Sequence, residues 1–159
     1  MHIYLLTHER EFNRRSNSGK LVQAFLGAEC STIAWRRTEP DENLLAAITS
    51  GRVAILGPAE KNTDNTDTVN QVTDFDGFVL LDGTWQEAAK MFNKSPYLHD
   101  LPQVALSSQQ ASEFILRANQ VEGGLSTAEC AIALLREHER EPEAKLLYQQ
   151  FQQFIRACL

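Results

Sequence analysis

Apolar residues along this chain come in two rhythms. Short unbroken runs alternate with segments in which apolar positions recur every three or four residues. The runs read as strands buried on both faces, the others as amphipathic helices. Strands are predicted at Ile3–Leu6, Ser31–Trp35, Val53–Leu56, Gly77–Leu81 and Gln103–Leu106, with a further short one at Phe114–Leu116. A helix is predicted from about Ser18, with Leu21, Val22 and Phe25 on its apolar side, to the stop at Gly27. After Pro40, Leu44, Leu45 and Ile48 mark a short helix ended by Gly51. Pro142 suits the first turn of a last helix, in which Ala144, Leu147, Tyr148, Phe151, Phe154, Ile155 and Cys158 share a face. The alternation predicts an α/β fold, one domain with a largely parallel sheet flanked by helices. The polar stretch Gly57 to Asp76 is longer than an ordinary connection.

The run Gly77-Phe78-Val79-Leu80-Leu81 ends abruptly in Asp82-Gly83-Thr84-Trp85. Thr84 and Glu87 fit the S/T-x-x-E capping box, in which hydroxyl and carboxylate each satisfy a free backbone N–H. Ala88, Met91 and Phe92 continue at helical spacing. Asp82 therefore lies at the carboxyl end of a strand, with Trp85 in the first helical turn. In open α/β sheets ligands bind there. An acid and an indole, in place of a glycine-rich loop, suggest a ligand not held by its phosphates. The other reading is a charge complementing the helix dipole, with Trp85 in the core. A second capping box, Ser126-Thr127-Ala128-Glu129, follows the break at Gly123-Gly124 and starts a helix carrying Ala131, Ile132 and Leu135 inward.

Composition narrows the class. The 159 residues are 43% hydrophobic and 23% charged, as in globular proteins, and no apolar run is long enough to span a membrane. The N-terminus has neither the basic region nor the cleavage site of a signal peptide. Cys30, Cys130 and Cys158 are odd in number and form no C-x-x-C, which argues for a reducing compartment and against a zinc site. A cytoplasmic protein without metal is expected. The formal net charge of −6 disfavours a dedicated nucleic-acid binder. Yet Arg10, Arg14, Arg15 and Lys20 crowd one segment, which is either a local basic face or solvated charge.

Other candidates carry two readings each. His8 ends the first strand and is either a base or a hydrogen-bonded partner. Asn17-Ser18 is most simply a turn and helix cap. Glu87 and Glu129 already have a structural role in their capping boxes. Arg117 either clamps a carboxylate bidentately or is solvated. No P-loop, dinucleotide fingerprint, Ser/His/Asp order or metal spacing occurs.

Several segments together resemble the DTW-domain family, the tRNA-uridine aminocarboxypropyltransferases. They are His8 through Leu21 (H-x-x-E-x-x-R-x-S-N-S-G-K-L), Gly57-Pro58-Ala59-Glu60, Leu81 through Trp85 with Ala88 through Met91, Ser95-Pro96, and Leu116-Arg117 followed by Leu125 through Glu129. The family's proline after the first histidine is Glu9 here, and no cysteine-rich, zinc-binding leader is expected ahead of the first strand. The resemblance implies an enzyme that transfers the 3-amino-3-carboxypropyl group of S-adenosylmethionine to N3 of a tRNA uridine, releasing methylthioadenosine. It implies a SPOUT-like fold with a C-terminal trefoil knot. Asp82 would be the general base, or would bind the co-substrate's ammonium. Thr84 and Trp85 would support the co-substrate, Arg117 its carboxylate, and Leu106 and Leu125, Ser126 and Thr127 its adenosine. Arg10, Arg14 and Arg15 would hold tRNA phosphates. A SPOUT-like RNA methyltransferase and a non-catalytic RNA-binding module are the alternatives.

Overall fold

Five strands, β1 (His2–Thr7), β2 (Cys30–Ala34), β3 (Val53–Leu56), β4 (Gly77–Asp82) and β5 (Gln103–Val104), pair in the order β2-β1-β4-β3-β5, every pairing parallel. The computed structural model describes residues 1–56, 71–106 and 126–158. Within them lie five α-helices: α1 (Gly19–Leu26), α2 (Glu42–Thr49), α3 (Trp85–Asn93), α4 (Thr127–Glu137) and α5 (Glu141–Cys158). The described residues form one α/β domain.

Alternation along each strand explains the two layers of helices. Ile3, Leu5, Phe78, Leu80 and Ala54 pack with Val22 and Leu26 of α1, Ala131, Ile132 and Leu135 of α4, and Leu147 and Phe151 of α5. The intervening Leu6, Val53, Ile55 and Val79 pack with Leu44 of α2, Met91 of α3, Leu98 and Leu101. Both faces are covered, so the strands read as continuous apolar runs. Each fully buried ring, such as Phe78 or Phe151, contributes about 2–3 kcal/mol by leaving water.

Strand ends shift from the sequence pattern: β1 runs one residue further at each end, and β4 one further at its close, taking in Asp82. β2 starts at Cys30 and ends at Ala34. Trp35 still donates its backbone N–H to Thr7 (2.8 Å). Its indole turns to the second core and donates to the Ser95 hydroxyl (2.8 Å). β5 stops at Val104, and Leu106 lies beyond it, half-buried against the first core. Phe114–Leu116, expected as a strand, lies outside the described residues, as do Gly123-Gly124.

The turn between α4 and α5 is a Schellman motif. Arg140 N–H donates to Leu135 C=O (2.8 Å) and Glu139 N–H to Arg136 C=O (3.0 Å). This motif needs a left-handed residue, and Glu139 occupies it at φ 62°. A side chain is strained there, and glycine is the usual occupant. Glu139→Gly should therefore stabilise the protein, by about 0.5–1 kcal/mol; thermal unfolding checks it, and a lower melting temperature would mean that Glu139 makes contacts worth more than its strain.

The chain leaves β1 through α1 toward β2, on one side, and leaves β4 through α3 past β3 toward β5, on the other. The carboxyl ends of β1 and β4 are neighbours, with Thr7 in register with Asp82. Their connections diverge there, which opens the crevice where doubly wound sheets bind ligands.

Candidate functional site

Asp82 is the last residue of β4 and is 1% exposed. Its side chain points to the α1/α4 face, as the alternation Phe78, Leu80, Asp82 requires. Thr127, the first residue of α4, donates its hydroxyl to Oδ1 (2.8 Å). The Asn17 amide donates to both oxygens (3.0 and 3.1 Å), and the Thr7 hydroxyl lies 3.3 Å from Oδ2. Asn17 also caps α1, its Oδ1 accepting from Lys20 N–H (3.0 Å). The carboxylate thus sits between the starts of two helices, where both dipoles favour negative charge. Gly19 is the reason it fits, because a Cβ there would lie 2.5 Å from Asp82 Oδ2. A cavity of about 260 Å3, lined by Thr7, Phe12, Asn17, Lys20 and Asp82 among others, opens beside it.

A second cluster forms across the crevice, toward α3. Glu87 closes its capping box with Thr84 (N–H to Oε1, 3.0 Å), while Arg14 donates to it bidentately (2.6 and 2.9 Å). Arg14 also pairs with Glu11 (2.7 Å), which is fully buried, and the second Glu11 oxygen accepts from the Asn17 amide (2.9 Å). Asn17 therefore links the two clusters, one amide serving two carboxylates. Burial alone would push the Glu87 carboxyl up; the Arg14 and Thr84 hydrogen bonds, with His8 and Arg14 nearby, bring it down to about 2. The Arg14 guanidinium is held charged, mainly by its bond to Glu87.

His8 follows β1 and its backbone N–H donates to Asp82 C=O (3.0 Å). Its ring is buried, 6.2 Å from the Trp35 ring and stacked on it. Nδ1 has two neighbours, the Arg10 backbone N–H at 3.2 Å and Glu87 Oε2 at 3.4 Å. The first suits a bare nitrogen and the second a protonated one.

The structure brings Asp82, Thr84, Ser126 and Thr127 to one edge of the sheet, with Leu106 just past the end of β5. Trp85 opens α3 and is 49% exposed, so its ring is available for stacking. Arg10 and Arg15 are exposed, whereas the Arg14 guanidinium lies in the ion-pair cluster. Arg117 and Leu125 lie outside the described residues, as does the Gly57-Pro58-Ala59-Glu60 segment. Glu11 and Thr7 escaped the sequence reading as site residues, although the Glu11/Arg14 spacing of three was the available signal. Asn17 and Ser18 were read as local caps. Asn17 is one, but the Ser18 hydroxyl accepts from Ala128 N–H (3.0 Å) and caps α4. Among the described residues no His, Cys, Asp and Glu side chains group as metal ligands, and no helix is long and apolar enough to cross a membrane.

A doubly wound parallel sheet with a polar cluster at its switch point defines an α/β protein whose candidate ligand site lies at the strand ends. The motifs building that cluster run from His8 in the first strand's turn to Thr127 in α4. The chain belongs to the DTW domain family, whose model matches residues 1–159. It is 30% identical to tRNA-uridine aminocarboxypropyltransferase 2 of Drosophila melanogaster over 149 residues, 90% of this chain and 58% of that protein. It is 27% identical to the protein of the same name from Mus musculus over 138 residues, 84% of this chain and 46% of that one. The chain spans about half the length of the curated relatives it matches. No solved structure matches it significantly.

Proposed function

We propose that this protein transfers the 3-amino-3-carboxypropyl group of S-adenosylmethionine to N3 of a tRNA uridine, leaving methylthioadenosine. The observation that carries the reading is the Asp82–Trp85 turn at the switch point of a DTW-family chain. The co-substrate suits the residues present. It is cationic at sulfur and at its amino group, and the crevice holds the carboxylates of Asp82, Glu11 and Glu87. The exposed Trp85 indole offers a face to adenine or to the sulfonium. Thr84, Leu106, Ser126 and Thr127 line the same edge and would hold the adenosine end, together with Leu125, with Arg117 on the carboxylate.

Of the two roles open to Asp82, contact with the co-substrate's ammonium is the better supported. As a base it would take up a proton and give up bonds its oxygens accept from Asn17, Thr127 and Thr7, whereas contact with an ammonium keeps it ionised and those bonds in place. The transferred carbon is selected by alignment, since only a nucleophile within about 3–3.5 Å and in line reacts. Exposed Arg10 and Arg15 would meet tRNA phosphates. Arg14 would support them by holding the segment to α3. The fold is read as SPOUT-like, with a trefoil knot in its C-terminal part, and the protein as cytoplasmic. The parallel sheet and the start of α4 at the strand ends are compatible with that knot.

Label on the carboxyl carbon of the co-substrate should appear in tRNA incubated with the protein, and methylthioadenosine should form in equal amount. Label entering RNA only from the methyl carbon would instead make this a methyltransferase. Binding of RNA with no transfer from either carbon would favour the non-catalytic module.

A further inference from the structure

We infer that His8 is the proton acceptor of this site and that Glu87 sets its tautomer. The inference rests on the transfer reading above, which leaves the base unassigned once Asp82 holds the co-substrate.

Alkylation at N3 requires the uracil to give up its N3 proton in or before the transition state. Imidazole is the side chain best suited to exchange a proton near neutral pH. His8 lies at the carboxyl end of β1, bonded through its backbone to Asp82 and so at the same crevice. Its ring is positioned on two sides: Trp35 stacks on it, and that indole is itself tied to Ser95. Glu87 Oε2 faces Nδ1 at 3.4 Å. This carboxylate is held in place by Arg14 and by its capping box, and it stays ionised to about pH 2.

The contacts at Nδ1 define two states of the ring. With the proton on Nε2, bare Nδ1 accepts from Arg10 N–H and caps the short 3-10 turn Glu9–Asn13. With the proton on Nδ1, the ring pairs with Glu87 and Nε2 carries the free lone pair. Only the second state is a base at Nε2. In the step, that lone pair takes the N3 proton, and the N3 electron pair forms the bond to the carbon beside sulfur. The carbon–sulfur bond breaks with its electrons passing to sulfur, which becomes a neutral thioether. The imidazolium that results is stabilised by Glu87, the arrangement by which a buried carboxylate supports a catalytic histidine. The other charged groups in this cluster are Arg14 and Glu11, and the Arg14 guanidinium is occupied by Glu87 and Glu11.

The test is single-turnover transfer to tRNA across about pH 5.5–9, the range in which imidazole side chains exchange protons, at saturating co-substrate. His8→Gln should lower the rate about 10²–10⁴-fold while leaving co-substrate affinity and melting temperature close to wild type, and should abolish the acid limb. Glu87→Gln should keep a limb but move it to lower pH, since the imidazolium loses its counter-charge. Added imidazole should restore part of the activity of His8→Gly. A His8→Gln protein within threefold of wild type, with the same limb, overturns the inference and leaves the transfer reading standing. A wild-type protein that transfers nothing overturns that reading and the inference together. Should His8→Gln fail to fold, the limb decides: one that stays in place in Glu87→Gln also overturns the assignment.

Discussion

Arg14→Ala should destabilise the protein by about 3 kcal/mol, toward the lower end of the cost of breaking a buried ion pair because Arg14 is partly exposed. At this chain length that corresponds to a fall of about 6–12 °C in melting temperature. The cause is specific. The guanidinium pairs Glu11, whose side chain is 0% exposed, and Glu87, which is 11% exposed, and alanine offers neither a donor nor a charge. The pH dependence supplies a second readout with a definite sign. Glu87 is depressed to about 2 from an ordinary value of 4.5, so it ionises more readily folded than unfolded. The stability it contributes is present above about pH 4.5 and is lost as pH falls toward 2. Arg14→Ala should flatten the stability curve in that window. Chemical denaturation between about pH 2 and 7 measures both effects. An unchanged melting temperature and an unchanged acid slope would show the cluster to be energetically idle.

Asp82→Asn should weaken co-substrate binding roughly 10- to 100-fold, the loss of one charged hydrogen bond. Asparagine keeps the shape and can still accept at one oxygen, but its amide meets the Asn17 and Thr127 donors head on. Calorimetry, melting temperature and single-turnover rate on this one variant separate three roles. Reduced affinity, with the rate largely restored at saturation, supports contact with the ammonium. Intact affinity with a rate down about 10²–10⁴-fold would make Asp82 the base and displace His8. Full activity with a loss of about 1 kcal/mol or less would reduce it to a charge at helix ends.

Both variants probe a cluster whose parts differ in how far they could be read along the chain. The capping boxes Thr84/Glu87 and Ser126/Glu129 span three residues, and both form as their spacing predicts. Ser18 begins α1 as expected, yet its hydroxyl caps a helix 110 residues away. Glu87 looked sufficiently employed by its own cap; Arg14, 73 residues distant, uses the same carboxylate. Asp82 invited the thought that it complements the dipole of the helix after it. Strand alternation turns it to the opposite face, where α1 and α4 begin.

What the amino-acid sequence determined by itself is what local physics decides. Unbroken apolar runs specify strands covered on both faces, 3.6-residue periodicity specifies the helices, and hydroxyl-to-carboxylate spacing specifies where two of them begin. Together these predict a parallel sheet and a candidate site at the end of β4. Tertiary structure alone decided who meets whom at that site. The order β2-β1-β4-β3-β5 places Thr7 beside Asp82 and brings the starts of α1 and α4 onto one carboxylate. Such contacts depend on strand order and on which face each side chain takes, and no pairing rule acting over three or four residues encodes either.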